Sequence, residues 1–210
     1  MLLGDDFIRL NIALKPPFDV EKKAIALSQK VSNSHKVFFI LDGKTVYPHI
    51  TLYSPEYPKK NLKKILTGVK ELSKKIKSVN LTYQQPVAKQ GFINITFNLS
   101  PEIKELHEKI VAKFNPLRAG HYKKEYDAPD YRMELSPEKI ANIARYGYPA
   151  AMNLYQPHLT IIRLEDEKEA KTVAKNLGWD IPQFMADSIT VYKMGEHGTC
   201  IEPILEVRLK

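Results

Sequence analysis

Two short stretches of this chain share a pattern that restricts how it can fold: Tyr47-Pro48-His49-Ile50-Thr51-Leu52-Tyr53 and Tyr155-Gln156-Pro157-His158-Leu159-Thr160-Ile161-Ile162. In each, a histidine directly follows a proline and alternates with a threonine between apolar residues. Strand side chains point to opposite faces in turn, so His and Thr share one face and the aliphatics the other. A half-buried strand with an incidental histidine accounts for either copy alone. The chain holds six histidines in all, and two of them in the same setting point to one site built from both copies.

The segments around the copies alternate between strand and helix patterns. Phe7 to Leu14 sets Phe7, Arg9, Asn11 and Ala13 against Ile8, Leu10, Ile12 and Leu14, which predicts a strand ended by Pro16-Pro17. Asp19 is placed to cap a helix with Val20, Ala24, Leu27 and Val31 on its buried side. Val37 to Leu41 and Thr45 to Tyr53 read as strands joined by an Asp42-Gly43 turn, the second carrying His49. From Lys59 to Ile76 the stripe Leu62, Ile65, Leu66, Val69, Leu72 and Ile76 predicts a helix whose lysine-rich back faces solvent. Two strands follow, Val79 to Val87 and Phe92 to Leu99. A helix opened by Ser100-Pro101 comes next, with Ile103, Leu106, Ile110, Val111 and Phe114 buried and His107 structural or exposed beside them.

Residues 117–153 differ in composition, interleaving Arg118, His121, Lys123, Arg132 and Arg145 with Tyr122, Tyr126, Tyr131, Tyr146 and Tyr148. A covering loop and helix is one reading. A lid is the other, since tyrosine stacks on bases or sugars while arginine meets phosphate. The second motif strand, Leu154 to Leu164, follows, then a helix to Leu177, an extended Trp179 to Phe184, and two strands around Gly195-Glu196-His197-Gly198-Thr199, a loop in which His197 is solvated or approaches the groove. One His-x-Thr strand per half predicts an α+β fold. It is expected to be a single bilobal domain over residues 1–210 with pseudo-two-fold symmetry, two antiparallel-rich sheets facing a central groove and helices on the outer faces. Residues 117–153 would then be an insertion or lid before the second motif strand.

Composition excludes more than it selects. Hydrophobic residues at 43% and charged residues at 27% describe an ordinary globular chain. The short acidic start, Met1 to Asp6, carries no secretory signal, so a cytoplasmic location and no membrane association are expected. One cysteine, Cys200, rules out an intrachain disulfide and a cysteine-cluster metal site. The formal charge of +8 suits an anionic partner such as a nucleotide or RNA, or simply solubility.

Cleaving a phosphodiester in line requires a proton taken on one side of phosphorus and given on the other. Two opposed imidazoles, His49 neutral and His158 charged or the reverse, divide that work. Thr51 and Thr160, on the same face, can donate to a non-bridging oxygen. Zinc held by His49, His158 and an acid such as Asp42 or Glu196 is the alternative, but no His-x-His or His-Glu-x-x-His spacing occurs. Neither metal nor cofactor is expected.

At His49-Ile50-Thr51-Leu52 and His158-Leu159-Thr160-Ile161 the chain resembles the two-histidine phosphoesterase superfamily. Its members include RNA 2′,3′-cyclic phosphodiesterases once called 2′-5′ RNA ligases, cyclic phosphodiesterases of small nucleotides, and RNA 3′-end exonucleases. A narrower likeness, at Tyr126-Asp127-Ala128-Pro129, Leu135-Ser136-Pro137 and Tyr146-Gly147-Tyr148-Pro149, is to an uncharacterised branch associated with phosphonate metabolism. Tyr155-Gln156-Pro157 before His158 departs from that branch. The resemblance implies that His49 and His158 are catalytic and that Thr51 and Thr160 hold phosphate. The implied reaction is metal-independent hydrolysis of a cyclic ribose phosphate on a small nucleotide or RNA end, with no obligate protein partner. His158 activating water and His49 protonating the leaving oxygen is the expected division. Tyr53, Tyr155 and Arg163 flank the motifs, in the groove, buried or outward, and His121, Tyr126 and Arg132 are assigned to the rest of the substrate. An RNA-binding or nucleotide-sensing module with little chemistry, a 3′-end exonuclease and a 2′-5′ ligase are the alternatives.

Overall fold

The computed structural model describes residues 6–210. The reading of the first residues as leaderless therefore falls, over 1–5, outside the described residues, as do the side chains of Asp130 and Tyr131. The strands are β1 Phe7–Lys15, β2 Val37–Ile40, β3 Ile50–Tyr53, β4 Glu56–Pro58, β5 Val79–Lys89, β6 Phe92–Phe97, β7 His158–Leu164, β8 Gln183–Ala186, β9 Ser188–Met194 and β10 Cys200–Arg208. The helices are α1 Phe18–Ser32, α2 Leu62–Ser73, α3 Pro101–Phe114, α4 Pro129–Met133, α5 Pro137–Tyr146 and α6 Glu167–Lys175.

The two facing sheets expected from the duplicated motif are not present. All the strands belong to one sheet in the order β10-β9-β1-β3-β7-β6-β5-β8, with β2 added to β7 and β4 to β1. Every pairing is antiparallel. The motif strands β3 and β7 are hydrogen-bonded neighbours at the middle of this sheet, joined at Ile50↔Leu159. The two copies thus meet across one strand pair and not across a cleft between lobes. Alternation shows which residues share a face, but it carries no information on which strands pair, and that is where the bilobal expectation failed.

One contiguous core underlies the sheet. Leu10, Ile12 and Leu14 of β1, Ile50 and Leu52 of β3, Leu159 and Ile161 of β7, and Ile93 and Ile95 of β6 pack with Val20, Ala24 and Leu27 of α1, Ile65 and Val69 of α2, Ile103, Leu106 and Ile110 of α3, and Ala170 and Ala174 of α6. Each fully buried aliphatic contributes about 1.5–3 kcal/mol relative to exposure. Helix starts follow local chemistry. Ser100 and Ser136 accept the amides of Ile103 and Lys139, each ahead of a proline in the first turn, and Asp166 accepts those of Lys168 and Glu169. Asp19 sits inside the first turn of α1 and does not cap it. Gly91, between β5 and β6, has φ +78, and a Cβ there would lie 2.3 Å from the Leu164 carbonyl oxygen, so glycine alone lets β7 approach.

Both motif strands are shorter than expected, beginning at Ile50 and His158. Pro48 and Pro157 have no N–H for the ladder, and the segments before them are tied down separately. Tyr47 N–H donates to the Cys200 carbonyl (2.9 Å), Phe97 N–H to the Pro157 carbonyl (3.0 Å), and the Gln156 amide to the Phe97 carbonyl (2.7 Å). Among the described residues no helix is long and apolar enough to cross a membrane.

Candidate active site

His49, Thr51, His158 and Thr160 line a single cavity of about 320 Å³ with Arg9, Lys89, Gln90, Phe92, Asn94, Tyr126, Tyr148 and His197. The antiparallel register explains the grouping. With Ile50 opposite Leu159 and both buried, the flanking positions turn to the other face, where His49 adjoins Thr160 and Thr51 adjoins His158. Each imidazole therefore has the other copy's threonine as its cross-strand neighbour.

The histidines are held alike. His49 Nδ1 lies 2.9 Å from the Tyr47 carbonyl oxygen and His158 Nδ1 lies 2.8 Å from that of Gln156. A carbonyl only accepts, so Nδ1 carries the proton in both rings and Nε2 presents its lone pair. Among the described residues neither Nε2 has a hydrogen-bond partner. The Pro-His sequence has a mechanical purpose here: the carbonyl two residues back becomes the orienting acceptor while proline stiffens the link between them.

Burial, with the charge of His158 adding to it and the Tyr47 carbonyl opposing it, pushes the His49 imidazole down to about 4. Burial also lowers His158, again against a carbonyl that favours its charged form. The threonines are set by asparagines on the flanking strands. Asn11 of β1 donates through Nδ2 to Thr51 Oγ1 (2.8 Å), and Thr160 Oγ1 donates to Asn94 Oδ1 of β6 (2.7 Å). Both asparagines belong to the polar faces of alternating strands, Arg9-Asn11 and Asn94-Thr96-Asn98. That was a legible signal, and the sequence reading did not convert it into site residues.

Among the described residues no carboxylate lines this cavity, whereas Arg9 and Lys89 do. Among the described residues no three His, Cys, Asp or Glu side chains converge to hold a metal ion. Asp42, weighed as a third ligand, spends Oδ1 on the amides of Lys44, Thr45 and Val46 and Oδ2 on the Thr45 hydroxyl, which holds its carboxyl well below the usual range. Glu196 lines a second cavity beside this one.

Of the flanking residues, Tyr126 lines the cavity and Arg163 lines the adjoining one. Tyr53 and Tyr155 do not reach either. Tyr53 is fully buried and donates to the Tyr146 carbonyl and to Asn115, and Tyr155 stacks on His107 at 3.9 Å. His121 pairs with Glu56 (2.7 Å) and stacks on Phe7, and Arg132 pairs with Asp127 (2.9 Å). His107 donates through Nδ1 to the Leu52 carbonyl and accepts the Met152 amide at Nε2, so neither nitrogen is left for chemistry. Arg118, also buried, anchors residues 117–153. It donates to Asn115 Oδ1 and to the carbonyls of His121, Ala144 and Arg145, the last two at the C-terminal end of α5, where the helix dipole favours a cation. His197, for which solvent and the groove were the two expectations, lines both cavities.

The same fold occurs in TT0787 of Thermus thermophilus, with a TM-score of 0.58 at 13% identity, covering 96% of this chain and 98% of that one. It occurs in E. coli LigT complexed with phosphate, with a TM-score of 0.54 at 14% identity and coverage of 98% and 99%. Kluyveromyces marxianus Usb1 matches with a TM-score of 0.50 at 11% identity and coverage of 99% and 100%. No curated protein sequence matches the chain. A family model matches residues 55–195, a span holding the second histidine motif and residues 117–153, and the chain accordingly belongs to the family described as "Protein of unknown function (DUF1045)".

Proposed function

We propose that this chain is a metal-independent phosphoesterase of the two-histidine type that hydrolyses a 2′,3′-cyclic or related cyclic ribose phosphate. The observation that carries this reading is a carboxylate-free cavity in which two imidazoles of forced tautomer, each with a free Nε2, alternate with two threonine hydroxyls. The likeness in fold agrees with it: E. coli LigT has structures with phosphate, ATP, NADP+ and 3′-AMP. The narrower phosphonate-associated likeness supplies no substrate, since the matching family is described only as of unknown function.

In this mechanism one Nε2 lone pair takes a proton from water as the water oxygen bonds to phosphorus. The other imidazole, as imidazolium, gives its proton to the ribose oxygen whose P–O bond breaks, leaving a ribose monophosphate beside a free hydroxyl. Each histidine's charge disfavours the other's, so the pair holds at most one added proton, taken up with the anionic substrate, which is the required division. The His158 charge is among the causes that lower His49. We therefore assign His49 as base and His158 as acid, the reverse of the division expected from sequence. Thr51 Oγ1 accepts from Asn11, so its own proton is available for a non-bridging oxygen, with Arg9 and Lys89 supplying positive potential. The main core, shared by strands and helices from both halves, supports reading the whole chain as one domain, with residues 117–153 as a wall of the site through Tyr126, Tyr148 and Pro149.

Turnover of 2′,3′-cyclic nucleotides by purified protein tests this. His49→Gln and His158→Gln should each lower kcat by roughly a hundredfold or more, the range for a positioned proton-transfer group, with EDTA without effect. Full activity in both single variants sinks the proposal.

A further inference from the structure

The loop between β9 and β10 places His197 in the left-handed region, at φ 53 and ψ 23. A non-glycine residue there is held by its surroundings, and such positions cluster at functional sites. What holds His197 is Arg163: Nη1 lies 2.9 Å from His197 Nδ1. That guanidinium sits 4.7 Å from the Phe38 ring centroid and 4.6 Å from that of Phe92, and His197 packs tilted against Phe38 at 4.6 Å. Guanidinium has donors only, so Nδ1 must be the accepting nitrogen. The ring proton is then on Nε2, and the ring is neutral while this bond lasts. Among the described residues Nε2 has no acceptor.

His197 stands where the catalytic cavity opens into a second one of about 650 Å³, with Arg9, Gln90, Phe92, Tyr126 and Gly198 shared between them. The two differ in charge. Arg9 and Lys89 face no carboxylate in the first; in the second, Arg9, Lys123 and Arg163 face Glu125, Glu134, Glu167 and Glu196. A phosphate gains by entering the first, whereas the nearly balanced charges of the second offer it no such gain. The second instead suits an uncharged planar group, with Tyr126 and the edge of Phe92, one face of which carries Arg163, as its aromatic lining.

We propose that the adjoining cavity is a nucleobase subsite and that His197 is its specificity residue, donating Nε2–H to a base acceptor while Arg163 fixes its tautomer. This rests on the catalytic cavity taking the cyclic phosphate. It selects a base-bearing substrate over one that puts a second phosphate in this position.

The test compares wild type, His197→Phe, which keeps a ring against Phe38 without the donor, and His197→Gln, which keeps an N–H. The probes are adenosine 2′,3′-cyclic phosphate, base-free ribose 2,3-cyclic phosphate and ADP-ribose cyclic phosphate. His197→Phe should raise KM for the adenosine probe about tenfold, the worth of one hydrogen bond, with kcat within about twofold. KM for the base-free probe should not change, and His197→Gln should recover part of the loss. Equal losses on base-bearing and base-free probes, an unchanged KM for the adenosine probe, or preferred turnover of ADP-ribose cyclic phosphate with no effect of His197→Phe would each overturn the subsite. If wild type turns over none of the probes, the phosphoesterase reading fails. The subsite is then judged by calorimetry of adenosine 3′-monophosphate against ribose phosphate: tighter binding of the adenosine compound, lost in His197→Phe, upholds it, and equal binding rejects it.

Discussion

Because burial lowers both His49 and His158, the free protein should hold the pair neutral at pH 7 and take up a proton when an anion enters the cavity. A group with a pKa of about 4 is protonated in about one molecule per thousand at pH 7. Sulfate imitates phosphate in shape and keeps its charge across the neutral range, so any proton taken up belongs to the protein. One negative charge about 4 Å from an imidazolium is worth ~1 kcal/mol in water-like surroundings and ~4 at an effective dielectric of 20. Each 1.36 kcal/mol is one pKa unit, so the low end, doubled for a dianion, raises an imidazole by about 1.5 units and the high end by about 6, and it is the high end that carries even His49 from about 4 past neutrality. Repulsion between the rings keeps the other neutral. Calorimetric titration with sulfate in two buffers of different ionisation enthalpy should therefore show uptake approaching one proton per anion near pH 7. Affinity should fall about five- to tenfold from about pH 6.5 to about 7.5, and His158→Gln should flatten this dependence. Sulfate that competes with substrate yet binds without proton uptake and with a pH-independent Kd would refute the assignment of a neutral resting pair.

The same shift bears on stability. The folded pKa of His49, about 4, lies below its ordinary 6.5, so the unfolded chain binds more protons between these values, and stability should decline as pH falls through that window. In urea titrations His49→Gln should lessen the decline. Asn94→Ala leaves Thr160 without its anchor and should lower kcat roughly fivefold to tenfold, about the worth of one hydrogen bond, with little change in urea midpoint. His107→Ala strips partners from the Leu52 carbonyl and the Met152 amide and leaves a void against Tyr155; chemical denaturation should show a loss of about 3–5 kcal/mol. Arg118→Ala frees four acceptors under residues 117–153, and limited proteolysis should cut that segment first while the sheet core stays intact.

How far the sequence revealed this site depended on the range of the interaction involved. Helix starts were legible because Ser100-Pro101, Ser136-Pro137 and Asp166 act on amides within three residues. The motif faces were legible because alternation is a property of one strand. Pairing was not: nothing in either Pro-His-x-Thr stretch says that Ile50 meets Leu159, and the two sheets inferred from two motifs became a single sheet. Tyr53 and Tyr155 show the same limit. Adjacent to the motif residues in sequence, they pack instead into the apolar core, and burial of a tyrosine is decided by what lies over the strand.

The correction from two sheets to one also changes how the geometry of the site is maintained. Two lobes facing across a groove could breathe against each other, and the distance between the imidazoles would vary with them. Neighbouring strands of one sheet lie about 4.8 Å apart whatever the rest of the molecule does. Their register is pinned here by a shared core on the opposite face, since a slip by one residue would bury His49 and Thr51 and expose Ile50 and Leu52. The two imidazoles and both hydroxyls are thus set by backbone pairing, with flanking asparagines fixing the threonines and carbonyls fixing the imidazole tautomers. Arg9, Phe92, Tyr126 and His197 border the cavity without holding the four central residues in place, so substitution there should alter binding while leaving that geometry intact.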